Sequence, residues 1–148
     1  MDENNRVHVI TTEADEVART VRTWLNTYTD KPEPVVDAEH LGEYAGLAMQ
    51  TIQAAYKTRQ YITGGYQAQF QFALLYRTIT TDVGDRLEAD ERLNAFGRWA
   101  ESTALPTLGT NIRAIKITRN TNSALVARWD DGAEDHELRM TLIYEVNV

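Results

Sequence analysis

Cysteine is absent from the 148 residues, which excludes a disulfide framework, a thiol nucleophile and any cysteine-held zinc or iron–sulfur centre. Serine is nearly as scarce. Ser102 and Ser123 are the only two, and neither lies in a Gly-x-Ser-x-Gly elbow, so no serine hydrolase is expected. Thr63-Gly64-Gly65-Tyr66 lacks the Lys-Ser/Thr that a phosphate loop uses to reach its anion. No apolar stretch approaches the roughly 20 residues that span a bilayer, so no membrane partner is expected. The opening Met1-Asp2-Glu3-Asn4-Asn5-Arg6 predicts no signal peptide. Positive charge is sparse and scattered: 15 Lys and Arg face 22 Asp and Glu, a formal net charge of −7. Such a chain repels nucleic-acid phosphates, which argues against wrapping or reading DNA.

What is present suits one folded domain. The chain is 43% hydrophobic and 25% charged, ordinary values for a globular protein. A chain of this length buries about 70% of its unfolded surface. The most informative stretch runs from Gln60 to Ile79. From Tyr66 it alternates: Tyr66, Ala68, Phe70, Phe72, Leu74 and Tyr76 on one face, Gln67, Gln69 and Gln71 on the other. That period of two predicts a long, half-buried antiparallel strand. Its polar face carries glutamine, neutral and hydrogen-bonding, which suits contact with protein and offers no catalytic group. Gly64-Gly65 reads as a bulge in preference to a hairpin turn.

Around that strand, Thr12–Thr29 predicts a helix with Val17, Val21, Trp24, Leu25 and Tyr28 as its apolar stripe, stopped by Pro32 and Pro34. Pro32–Tyr44 reads as an extended connection, Leu47–Ile52 as a strand and Gln53–Thr58 as a loop. Asp85-x-x-Glu88 resembles a capping box opening a helix to about Ser102, with Ala89, Leu93, Phe96 and Ala100 inward. Strands follow at Ile112–Arg119, Ala124–Asp130 and Glu137–Val146, with Asp131-Gly132 as a turn. The order predicts an α+β fold, a mostly antiparallel sheet with two main helices packed on one face.

Candidate chemistry is thin. His8, His40 and His136 lie far apart and read as partly exposed, with no metal implied. Asp130 to Glu137 is the densest acidic run and reads as a solvated hairpin turn. Asp130, Asp131, Glu134 and Asp135 are candidate contacts to a neighbouring subunit, with Arg59, Arg77, Arg113 and Arg119 as opposite partners. Asp85, Glu88, Asp90 and Glu91 read as a solvated face that complements the helix dipole. Tyr56, Tyr61 and Trp129 are candidate interface anchors. No cofactor is implied.

The run Tyr61-Ile62-x-Gly64-Gly65, then Phe70, Phe72, Leu74, Tyr76 and Arg77, then Asp82, Arg86-Leu87-x-Ala89-x-Glu91-x-Leu93 and Trp99, resembles the minor capsid proteins encoded between the head and tail genes of long-tailed bacteriophages. It is similar to the lambda-type tail terminators from about Val17 to Val146. That resemblance implies a virion protein without catalytic residues. It implies a ring, typically hexameric, that caps the tail tube and joins it to the head connector, with DNA passing through the middle. A head-completion or head–tail adaptor role is the neighbouring alternative. A small-ligand-binding α+β domain and an acidic binder of a basic protein are the others. On this reading Gln67, Gln69 and Gln71 become candidates for a subunit contact or the channel lining.

Overall fold

A computed structural model describes residues 13–38, 45–80 and 82–147. The chain runs α1 (Glu13–Leu25), β1 (Val36–Ala38), β2 (Gly46–Thr51), β3 (Lys57–Gln60), β4 (Tyr66–Ile79), α2 (Val83–Ser102), β5 (Ile112–Arg119), β6 (Ala124–Arg128) and β7 (Ala133–Val146). The strands form one sheet in the order β1-β2-β4-β7-β5, with β3 on β4 and β6 on β7. Every pairing is antiparallel except β1 with β2. The α+β expectation holds.

The two 14-residue strands are the spine. β4 and β7 pair along their whole length, from Tyr66 opposite Val146 to Ile79 opposite Ala133. The period-two pattern of β4 is realised: Ala68, Phe70, Phe72, Leu74 and Tyr76 are buried on one face with Leu138, Met140, Leu142 and Tyr144 of β7. Onto that face pack Val17, Val21 and Leu25 of α1 and Ala89, Leu93, Phe96 and Ala100 of α2. Trp24 and Tyr28 meet Phe96 and Trp99 with ring centroids 4.7 to 5.1 Å apart, so α1 and the turn after it share one aromatic seam with α2.

Several boundaries differ from the sequence reading. Thr12, and with it the predicted start of α1, lies outside the described residues. The helix ends at Leu25 because Asn26 turns to other partners. Its amide accepts from Val36 N at 2.8 Å and donates to Arg22 O and Val36 O, a side-chain competition typical of asparagine. That anchor also creates β1, three residues too short to leave a period in the sequence. Gly64-Gly65 closes a hairpin and not a bulge: Tyr61 N donates to Gly65 O at 2.8 Å and Gly64 has φ 97°. The predicted loop at Gln53–Thr58 therefore runs into an edge strand, β3.

The cap of α2 is Asp82 and not Asp85. The Asp82 carboxylate accepts from Asp85 N at 2.8 Å, satisfying one donor that the helix start leaves open. Asp82→Ala should cost about 1 kcal/mol, read as a lower urea midpoint at unchanged slope.

Candidate functional site

Two features concentrate polar groups among the described residues: a cluster around the buried His136 at the start of β7 and the sheet face that carries no described helix.

The segment read as a solvated turn, Asp130 to Glu137, divides in two. Asp130, Asp131 and Gly132 are the exposed turn, with Asp131 Oδ1 accepting from Ala133 N at 3.0 Å. Glu134, Asp135 and His136 are buried strand residues, which corrects the solvated reading. Strand alternation splits them by face. Glu134 and His136 point toward α2; Asp135 points to the opposite face. Glu134 accepts from Arg86 Nε at 2.7 Å and from Arg128 Nε at 3.1 Å. His136 Nδ1 lies 2.8 Å from Asp90 Oδ1, which also accepts from Ser123 Oγ at 2.6 Å. On the far face Arg77 grips Asp135 with two bonds of 2.7 and 2.9 Å. Trp129 closes over that pair, donating from Nε1 to Asp135 at 3.2 Å, its ring 5.3 Å from the Arg77 guanidinium.

These contacts also revise the helix carboxylates. Asp90 is not merely a solvated charge but the partner of a buried histidine. His136 is buried, not partly exposed; His8 and His40 lie outside the described residues. Arg77, Arg113 and Arg119 are paired within the chain, to Asp135, Glu145 and Glu101, so they and Glu134 and Asp135 are spent internally. Arg59, Asp130 and Asp131 have no ion-pair partner among the described residues.

The cluster contains a serine, a histidine and two carboxylates, yet its wiring opposes nucleophilic catalysis. Ser123 gives its proton to Asp90, not to the imidazole that would have to activate it. His136 has no exposed surface, so no substrate reaches it. Its Nε2 faces Glu134 Oε1 at 3.6 Å, beyond ordinary hydrogen-bond length. Burial pushes the Glu134 carboxyl up, but the Thr80 hydroxyl close beside it, the Arg86 hydrogen bond and the Arg86 and Arg128 charges together hold it below the usual value. The arrangement locks α2 and β6 onto β7. Among the described residues no group of three His, Cys, Asp or Glu side chains is arranged to hold a metal.

On the opposite face the sheet register sets three rows, polar except for Ile143. Arg113, Glu145 and Gln67 lie side by side, then Lys116, Ile143 and Gln69, then Thr118, Thr141 and Gln71. Both described helices pack on the other side, so this face is uncovered by them. Gln67, Gln69 and Gln71 are half-buried. Thr58 Oγ donates to Gln67 Oε1 at 3.1 Å and Gln69 Nε2 to Ala55 O at 2.7 Å. The first two glutamines thus also steady the β3 hairpin. Of the candidate anchors, Trp129 and Tyr56 are exposed at 49% and 37%, while Tyr61 is half-buried and donates to Glu145 at 3.2 Å.

At the other end of the core, Tyr66 and Tyr144 both donate to Glu13, tying α1 to the sheet. Burial first, and then the hydrogen bond and charge of Glu13, push Tyr66 up to about 12; burial, the Glu13 charge and its hydrogen bond push Tyr144 further. A pKa raised in the folded state gives stability that is complete below the unfolded value of 10.0 and is lost as pH climbs toward the folded one. Unfolding midpoints should therefore fall between about pH 10 and 12, and Tyr66→Phe should flatten that alkaline limb, as followed by guanidinium titrations at stepped pH.

Two clefts among the described residues are small. One of about 220 Å³ lies between the end of β4 and the start of α2, lined by Tyr76, Thr80, Asp85 and Arg92 among others. Another of about 230 Å³ lies where β2 gives way to β3 on the β4 edge, beside Ile52, Tyr56 and Phe70. Both fall below the roughly 300–1,000 Å³ typical of small-molecule sites.

No family model and no curated protein matches the chain. Among the solved structures similar to it is one, whose name describes no function, that matches over 88% of this chain and 89% of its own at 16% identity, with a TM-score of 0.44. That likeness is too distant to carry an argument. No described helix is long and apolar enough to cross a membrane.

Proposed function

We propose that the protein is a structural ring subunit of the neck of a long-tailed bacteriophage, a tail-terminator-like protein that caps the tail tube and meets the head connector. The observation that carries this reading is the two-faced sheet: one face consumed by two helices, the other carrying no described helix and lined by the half-buried Gln67, Gln69 and Gln71. A face of neutral amides between paired charges can be desolvated against protein at little cost, because its groups find partners on either side. Three further features support it. The one Ser–His–carboxylate cluster among the described residues has its histidine buried and is wired for structure, the two clefts described above fall below the usual size of a small-molecule site, and the net charge of −7 lets DNA slide past without being held. The ring is a homo-oligomer, a hexamer in the resembling family, with tail tube and connector proteins as neighbours, no cofactor and no enzymatic activity. The protein is made in the bacterial host and works in the virion.

Particles of the phage that encodes it test this. Gold-labelled antibody to the chain should mark the junction of head and tail; label confined to another part of the particle, or absent from intact virions, would contradict it.

A further inference from the structure

The two outermost short strands occupy opposite edges and opposite ends of the sheet. β3 lies on β4 beside Tyr66–Ala68, and β6 lies on β7 beside Glu134–Glu137. Each uses one edge for its partner and has no strand on its other edge among the described residues. All four residues of β3 are exposed, as are four of the five in β6. An open edge is a template for another strand.

The edges differ in charge. β3 presents Lys57 and Arg59; β6 runs straight into Asp130 and Asp131, while its own Arg128 is spent on Glu134. Each strand is also flanked by exposed apolar groups, Tyr56 and the fully exposed Ile62 on the β3 side, Leu125, Val126 and Trp129 on the β6 side. Like meeting like places charges of one sign together, β3 against β3 or β6 against β6. Only the unlike pairing joins basic to acidic, so the charges select against a two-fold dimer and for a head-to-tail contact.

We propose that neighbouring subunits join by pairing β3 of one copy antiparallel to β6 of the next, making the sheet continuous around the assembly. This rests on the ring reading above and names the contact that closes the ring. The antiparallel sense brings Lys57, at the start of β3, toward Asp130 and Asp131, beyond the end of β6. It carries Arg59 to the Trp129 ring and Ile62 to Leu125 and Val126. The strand directions also fit. β3, β4, β7 and β6 alternate in direction within one copy, so an antiparallel junction leaves every copy pointing the same way, as rotation about a ring axis requires. A parallel junction would invert each successive copy.

The absence of cysteine makes the test clean. Ile62→Cys and Val126→Cys fall on exposed side chains that contribute nothing to the core. In the double variant under mild oxidation, the contact predicts a ladder of covalent species beyond the dimer. In a mixture of the two single variants it predicts the heterodimer, bridged from position 62 of one copy to position 126 of the other, over either homodimer. Lys57→Glu should deplete the assembled species in native mass spectra, and Asp130→Arg on that background should restore it. If wild-type protein assembles but the double variant forms no ladder and Lys57→Glu leaves assembly intact, the β3–β6 contact is wrong while the ring stands. If wild-type protein is monomeric at high concentration and the double variant forms no ladder, both fall.

Discussion

Phe72→Ala is expected to be the most damaging single change in this chain. Phe72 sits mid-strand in β4 with no exposed surface, opposite Met140 on one side and Thr51 on the other, its ring 5.4 Å from that of Phe70. Removing a buried phenyl group loses its transfer free energy and leaves a cavity that a long two-sided strand cannot close, a cost of about 3–5 kcal/mol. Against a typical total of about 5–15 kcal/mol, the variant should melt roughly 6–20 °C lower or fail to accumulate. One residue earlier, Gln71→Ala changes the face without a described helix and should alter stability by less than about 0.5 kcal/mol. Calorimetry of the pair measures the asymmetry of β4. Equal losses would mean that the glutamine face is as firmly packed as the aromatic one.

The second large effect is expected at Glu134. Its side chain is 2% exposed and holds Arg86 and Arg128 across α2 and β6. Glu134→Ala leaves both guanidiniums without their carboxylate and opens a void beside His136. Breaking a buried pair costs about 3–5 kcal/mol; here the arginines reach solvent, 34% and 58% exposed, so about 2–3 kcal/mol is expected. The pH dependence separates charge from volume. The carboxyl is held below its ordinary 4.5, so its contribution is present above that value and is lost as pH falls through the folded one. Wild type and variant should therefore differ most near neutrality and converge in acid, as read by urea midpoints from about pH 7 down to about pH 3. A constant gap would mean that packing alone sets the loss.

The two long strands and the inner faces of both helices were legible because their signals are local. Phe70, Phe72 and Leu74 repeat every second residue, Leu93, Phe96 and Ala100 every third or fourth, and the strand at Ile112–Arg119 has the predicted ends. β1 and β3 were not legible: three and four residues carry no period, and β1 owes its position to an asparagine ten residues away in the chain. The acidic segment reads as solvated from its charge, yet Glu134 and Asp135 are buried. Its partners Arg86 and Arg77 are 48 and 58 residues distant in sequence, so no local pattern announces them. A usable signal did exist. A tight Asp131-Gly132 turn makes the next residue already a strand residue, and Glu134 and His136 continue the alternation of Leu138, Met140 and Leu142.

The glutamine face was visible as a pattern, and the structure adds its width, the three rows that run from β5 across β7 to β4. The β3 and β6 edges were not visible, because they depend on which strands end up outermost.

Negative-stain microscopy of the purified wild-type chain tests the ring most directly. The account predicts closed rings of uniform diameter with a central hole; monodisperse single copies at high concentration, with no rings, would contradict it.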